Sequence, residues 1–188
     1  MSDICCFTGY RPHRFGFTAD GLRPEHVQEA LAKQIAALYE EGCRTFISGM
    51  CIGVDLWAAA EVLKLKKSHP EVRLWAAVPF EGQEGHWSYP WQLEYRRVLS
   101  ACDKVEVLCN QKEAAADATA CYRRRNRWMV DRADTVLAVC RLDVGDQRGG
   151  TAATVRYARD KQKRILYIHP STLAVTEETV QQLQFTLF

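Results

Sequence analysis

Apolar residues fall into short continuous runs, and the stretches between the runs repeat with a period near 3.6. Asp3–Thr8 (DICCFT), Thr45–Ile47 (TFI), Glu71–Val78 (EVRLWAAV), Lys104–Leu108 (KVEVL), Thr135–Cys140 (TVLAVC) and Arg164–Ile168 (RILYI) read as six strands. Five helices separate them. The first runs from Pro24, suited to a first turn, to about Glu41, with Val27, Ala30, Leu31, Gln34, Ile35 and Leu38 on one face and Gly42 after it. The second follows the glycine loop of Arg44–Leu63 (RTFISGMCIGVDLWAAAEVL) and continues to about Lys67, short of His69-Pro70. The others are Gln92–Cys102, Ala118–Arg132 and Ala152–Lys161. Asn110–Asp117 reads as a polar, mobile loop, and His169–Phe188 carries little pattern.

Strands that are apolar throughout and separated by helices belong to a parallel sheet covered on both faces, so the fold class is α/β with a mainly parallel sheet of about six strands in three layers. Right-handed crossovers place the loops at Gly9, Gly49, Pro79 and Gly149 along one edge, where open α/β sheets bind ligands.

At 188 residues the chain is expected to form a single domain, residues 1–188. Its 47% hydrophobic content supports a core, and a net charge of +2 argues against a general nucleic-acid binder, so any such binding would need a local patch. Eight cysteines without a CxxC pair and five scattered histidines suggest buried free thiols, with neither a disulfide framework nor a metal site. Met1-Ser2-Asp3 leads directly into the first strand, with no signal peptide, lipidation site or apolar run of membrane length, so a cytoplasmic protein that does not enter the membrane is expected.

Two glycine-bearing helix starts, Ser48–Gly53 and Gly149–Thr154, carry the candidate chemistry. Glycines admit a ligand close to the backbone, and the first turn of a helix offers unpaired amides and a positive dipole end. Neither loop matches GxGxxG or GxxxxGK[ST], which leaves an anion-binding edge built from amides, the hydroxyls of Ser48, Thr151 and Thr154, and arginines from the Arg11 loop or the Arg123–Arg127 segment. Arginines 123, 124, 125 and 127 cannot share one helical face, so only one or two can aim at a pocket. Asp55 either caps amides or binds a ribose hydroxyl. The loop from Pro79 to Gly85, with the aromatic stretch His86–Trp91, could wall the pocket, and the aromatics around Trp87 and Trp91 permit a homo-oligomer.

Five blocks, FTGYRPHR (Phe7–Arg14), SGMCIGVDLWAAAEVL (Ser48–Leu63), VPF (Val78–Phe80), RNRWMVDRADTVLAVC (Arg125–Cys140) and GGTAATVRYA (Gly149–Ala158), resemble the YpsA-like proteins of the SLOG superfamily, which also holds DprA and the LOG phosphoribohydrolases. The resemblance spans residues 5 to 168 and implies a Rossmann-like fold with a site for a nucleotide or nucleotide-derived ligand related to NAD or ADP-ribose, in a sensing or regulatory role and with no required cofactor. It places the ligand loops on Gly9 and Arg11, on Ser48, Gly49, Gly53 and Asp55, and on Gly149, Gly150 and Thr151, with Asn126 in the arginine-asparagine block. Aligned with the GGxGTxxE motif of LOG enzymes, Thr154 stands where their glutamate would be, which counts against phosphoribohydrolase activity because a hydroxyl cannot stabilise an oxocarbenium-like transition state as a carboxylate does.

Two alternatives stand beside binding. One is hydrolysis of a nucleotide N-glycosidic or phosphate bond with Asp55 or Glu81 as acid or base. The other is single-stranded nucleic-acid binding like that of DprA, through Arg123, Arg124, Arg125 and Arg127 with Tyr122 or Trp128 as stacking surfaces. A side chain at Gly53, as in Gly53→Glu, is expected to abolish ligand binding and leave the fold largely intact.

Overall fold

The structure is a computed structural model and describes residues 3–141 and 149–178. In chain order the elements are β1 (Ile4–Gly9), a 3-10 turn (Pro12–Arg14), α1 (Pro24–Glu40), β2 (Thr45–Ser48), α2 (Val54–Ser68), β3 (Arg73–Val78), α3 (Tyr89–Ser100), β4 (Lys104–Val107), α4 (Gln111–Arg132), β5 (Thr135–Val139), α5 (Gly150–Asp160), β6 (Arg164–Ile168) and β7 (Val175–Glu178). The sheet order is β4-β3-β2-β1-β5-β6-β7. All pairings are parallel except β6 with β7.

This arrangement is the expected α/β, Rossmann-like sandwich, with a seventh strand in the tail. β7 escaped the hydrophobic pattern because its VTEE sequence is largely exposed at the sheet edge. What holds it is electrostatic and polar: Arg159 and the Tyr167 hydroxyl both bond Glu178, and Arg164 pairs with Glu177 and Glu41.

The interior strands match their sequence. β2 and β5 are buried along their whole length, and β1 is buried at all but its ends. Phe7 stacks on Phe46 with ring centroids 5.9 Å apart. On α1 the expected stripe is buried at Val27, Leu31, Ile35 and Leu38. α2 is buried from Val54 through Ala59, and its small residues Ala58 and Ala59 let it lie close to the sheet. α1, α2 and α3 pack side by side, as do α4 and α5. Right-handed crossovers put the two groups on opposite faces.

Two expectations need correction. Asn110–Asp117 is no loop: the Asn110 side chain accepts the Glu113 amide at 2.9 Å, Glu113 accepts the Asn110 amide at 2.9 Å, and α4 begins there and kinks at Asp117. This reciprocal cap outweighs the polarity of the segment. The second correction concerns the aromatic stretch, where α3 starts at Tyr89. Its neighbours Trp87 and Trp91 pack on Tyr95 and Trp57 and do not line the cleft described below. The link from Arg141 to Arg148, apart from Arg141 itself, and the last ten residues lie outside the described residues.

Candidate functional site

β1 is the strand from which the sheet grows both ways, toward β2 on one side and β5 on the other, so a crevice opens at its carboxyl end. A cleft of about 330 Å³ occupies it. Its floor is Phe7, Thr8 and Gly9 of β1, and its walls come from the loop after β1, the glycine loop after β2, the middle of α4 and the start of α5.

Of the residues expected to touch a ligand, the structure brings Gly9, Arg11, Asp55, Asn126, Gly150 and Thr151 together on this cleft. Ser48, Gly49, Gly53, Gly149 and Thr154 do not line it; they shape the turns behind it. Ser48 is fully buried, donates its hydroxyl to the Asp55 carbonyl at 2.9 Å and accepts the Met50 amide at 3.1 Å, so it is consumed in closing the glycine loop. Thr154 donates to the Gly150 carbonyl at 2.8 Å, a helical back-bond. The Pro79 loop stays behind the wall, where the Gln83 side chain donates to the Met50 carbonyl at 3.3 Å.

The glycine loop needs its glycines. Gly53 has φ 92, and a Cβ there would lie 2.6 Å from the Tyr10 carbonyl oxygen and 3.1 Å from the Arg11 Cα. The loop after β1 and the start of α2 therefore touch backbone to backbone, held by the Val54 amide donating to the Tyr10 carbonyl at 3.3 Å. Because those neighbours are main-chain atoms, Gly53→Glu displaces two loops, contrary to the expectation of an intact fold. At Gly49 a Cβ would collide with the Arg125 guanidinium. Met50 between them is held at φ 58, an uncommon backbone region for a non-glycine residue.

Asp55 neither caps its helix in the ordinary way nor stands free for a ribose. Its Oδ2 accepts from Arg125 Nη1 at 3.2 Å and from the Cys51 amide at 3.4 Å. The same Nη1 donates to the Gly49 carbonyl. Burial raises the Asp55 carboxyl above its ordinary range, against the opposing pull of Arg125.

Sequence reasoning left Arg125 undistinguished among four arginines. The structure separates them: Arg125 is 5% exposed, whereas Arg123, Arg124 and Arg127 are exposed. A signal was present, since Cys121, Arg125 and Met129 are four apart and all face inward on α4. The hydrogen bonds of its guanidinium run through Nη1, and its buried Nε finds no acceptor among the described residues. An orphaned donor on a buried cation bordering a cleft is a place for an acceptor from outside the chain.

Two more guanidinium groups reach the lining, those of Arg11 and Arg14. Arg11, His13 and Arg14 enter from the loop after β1, with the Arg14 guanidinium 4.1 Å from the Tyr10 ring centre. Among the described residues Asp55 is the one carboxylate of the lining. At the start of α5 the amides of Gly150 and Thr151 belong to a first helical turn, whose donors have no partner within the helix. The Thr151 hydroxyl donates to the Gly9 carbonyl at 3.0 Å and so pins this turn to β1.

Among the described residues no group of three or more His, Cys, Asp or Glu side chains is placed to hold a metal, and no helix is long and apolar enough to cross a membrane. The eight cysteines are free thiols, six of them buried. Burial pushes Cys6 up to about 12 and Cys43 up to about 11.

Comparison with known proteins gives a consistent outcome. A family model described as the YspA SLOG family matches residues 5–173. UPF0398 protein BH1768 of Halalkalibacterium halodurans is 30% identical over 165 residues, covering 87% of this chain and 84% of its own. A UPF0398 protein of Bacillus licheniformis is 27% identical over 184 residues, covering 97% of both. Among solved structures, DNA processing protein A from Helicobacter pylori, described for its single-stranded DNA binding mode, superposes with a TM-score of 0.54 at 16% identity, covering 97% of this chain and 71% of that one. At that identity the likeness concerns the fold.

Proposed function

The chain belongs to the YspA SLOG family, and from that membership and the chemistry of the cleft we propose that it binds a nucleotide or nucleotide-derived ligand, of the NAD or ADP-ribose kind, in a sensing or regulatory role. The observation that carries this reading is the buried Arg125, whose Nε has no partner among the described residues, bordering a cleft that also presents Arg11 and the first-turn amides of α5. Two phosphate oxygens suit a guanidinium edge and a helix start together. Asn126 and the Thr8–Gly9 backbone supply polar groups for a sugar or base. The free thiols favour a reducing, cytoplasmic setting.

Hydrolysis is the weaker reading. Asp55 is engaged by Arg125 and the Cys51 amide, which removes it from the role of a mobile base, and Glu81 borders a separate hollow beside β4. Single-stranded nucleic-acid binding is favoured by one observation, the structural likeness to the Helicobacter pylori protein, together with the exposed arginines at 123, 124 and 127.

The test is a thermal-shift and calorimetry panel of nucleoside 5′-monophosphates, ADP-ribose, NAD and a single-stranded oligonucleotide. A small nucleotide at 100 times its Kd should stabilise the protein by about 2.7 kcal/mol. The exposed-site variant Arg11→Ala should reduce that shift. If no small nucleotide moves the transition, or if Arg11→Ala leaves the shift unchanged, the reading fails. Salt-sensitive binding of the oligonucleotide alone would replace it with the nucleic-acid reading.

A further inference from the structure

Another hollow, of about 240 Å³, runs between α4 and α5. Asn126 borders both it and the cleft, so the two adjoin along one side of α4. Among the described residues, three guanidinium groups line it, Arg123 and Arg127 from α4 and Arg156 from α5, with one carboxylate, Asp160. We propose that this groove is a second phosphate subsite, and that the ligand of the cleft is therefore a nucleotide carrying a second phosphate displaced from the first, as in a 3′,5′-bisphosphate or a phosphodiester-linked dinucleotide. The proposal rests on the nucleotide reading of the cleft.

Arg123 and Arg127 are four residues apart and so stand on one helical face about 6 Å apart along the axis. Like charges at that spacing oppose folding, and an anion in the groove reverses the sign of the interaction. Arg123 has a partner in Asp117 at 3.6 Å, but both side chains are more than half exposed, so a phosphate competes with it readily. Arg127 is held in place. Its guanidinium lies 5.3 Å from the Tyr157 ring centre, and the Tyr157 hydroxyl donates to Asp131 of α4 at 2.8 Å, which fixes the ring across the α4–α5 seam. The groove thus presents a backed, oriented cation, the arrangement that favours phosphate recognition by arginine.

Calorimetric titration of adenosine, guanosine, cytidine and uridine 5′-monophosphates and of the matching 3′,5′-bisphosphates against the full chain tests this. The second phosphate should raise affinity about tenfold for the preferred base, as expected for a charge-assisted contact. In the double variant Arg123→Ala/Arg127→Ala that gain should disappear, while affinity for the monophosphate stays within about twofold and the melting temperature is retained. Monophosphate binding with no gain from the second phosphate, or a gain that survives the double substitution, overturns the groove alone. Binding of neither series overturns the cleft reading and the groove with it. 5′-Phosphorylated oligonucleotides of two to six residues then separate the sources: affinity that stops rising at two residues marks a free small molecule, and a continued rise marks a strand end.

Discussion

Arg125 Nη1 lies 3.2 Å from Asp55 Oδ2, both side chains are at least nine-tenths buried, and the pair joins α4 to the first turn of α2 across the carboxyl edge of the sheet. Removing one member leaves the other charge buried without its counterion. Asp55→Ala should therefore cost about 3–5 kcal/mol, and the paired replacement Asp55→Leu/Arg125→Met should recover most of that stability while abolishing nucleotide binding. Urea unfolding of the three proteins checks both halves. A loss below about 1 kcal/mol for Asp55→Ala would show that the cleft is wet enough to solvate Arg125.

Gly53→Ala adds a single carbon atom at φ 92, against the Tyr10 carbonyl. The strained backbone alone should cost about 1–3 kcal/mol, and the displaced Arg11 loop should weaken ligand binding as well. Denaturant midpoints and calorimetry on this variant should move together. An unchanged midpoint would mean that the two loops separate easily.

Asn110→Ala removes the side chain that caps α4, and a loss of about 0.5–2 kcal/mol is expected, with faster amide exchange confined to the turns before the Asp117 kink. Exchange that is already fast in the parent protein would restore the loop reading of that segment.

That cap shows what the sequence made legible and what it did not. Asn110 followed three residues later by Glu113 is a capping signature, yet the alanine-rich polar run between it and Asp117 has no apolar stripe to announce a helix. The interior strands announced themselves because both of their faces are buried, whereas β7 is recognisable only through Arg159, Arg164 and Tyr167, which meet it in space from elsewhere in the chain. The tight turns at Gly53 and Gly150 could be read from local glycine chemistry. The choice of Arg125 over its neighbours, and the withdrawal of Ser48 and Thr154 into backbone bonding, depend on which way α4 is rotated and on how the loop closes.

Asp103 accepts the Leu74 amide at 2.8 Å and pairs with Lys66, fastening β3 to the start of β4. Burial opposes ionisation, but the Lys66 and Leu74 bonds outweigh it and hold the carboxyl below its usual 3.8. A lowered acid contributes stability that is complete above the unfolded value and fades as pH falls through the folded one. Asp103→Asn should thus be less stable than the parent at pH 7, and the gap should close below about pH 4. A gap that is independent of pH would assign the effect to the amide bond rather than to charge.

Cys51 and Cys102 are the two thiols that are not fully buried, and Cys51 borders the cleft while Cys102 follows α3. Burial raises both, so alkylation should be slow at neutral pH and speed up above it. A bound nucleotide should shield Cys51 and leave Cys102 untouched. Mass spectrometry of the labelled protein reads the two sites separately, and equal labelling of Cys51 with and without nucleotide would place the ligand elsewhere.

The outward growth of the sheet from β1 in two directions divides the cleft between two segments of the chain. Everything through β4 supplies Gly9, Arg11 and Asp55, and everything after it supplies Arg125, Asn126, Gly150 and Thr151. A backbone nick between Val107 and Asn110 would leave each fragment with half of the cleft's lining. Any ligand that spans the cleft would then act as the glue of their reassembly, and complementation of the two pieces would report its concentration.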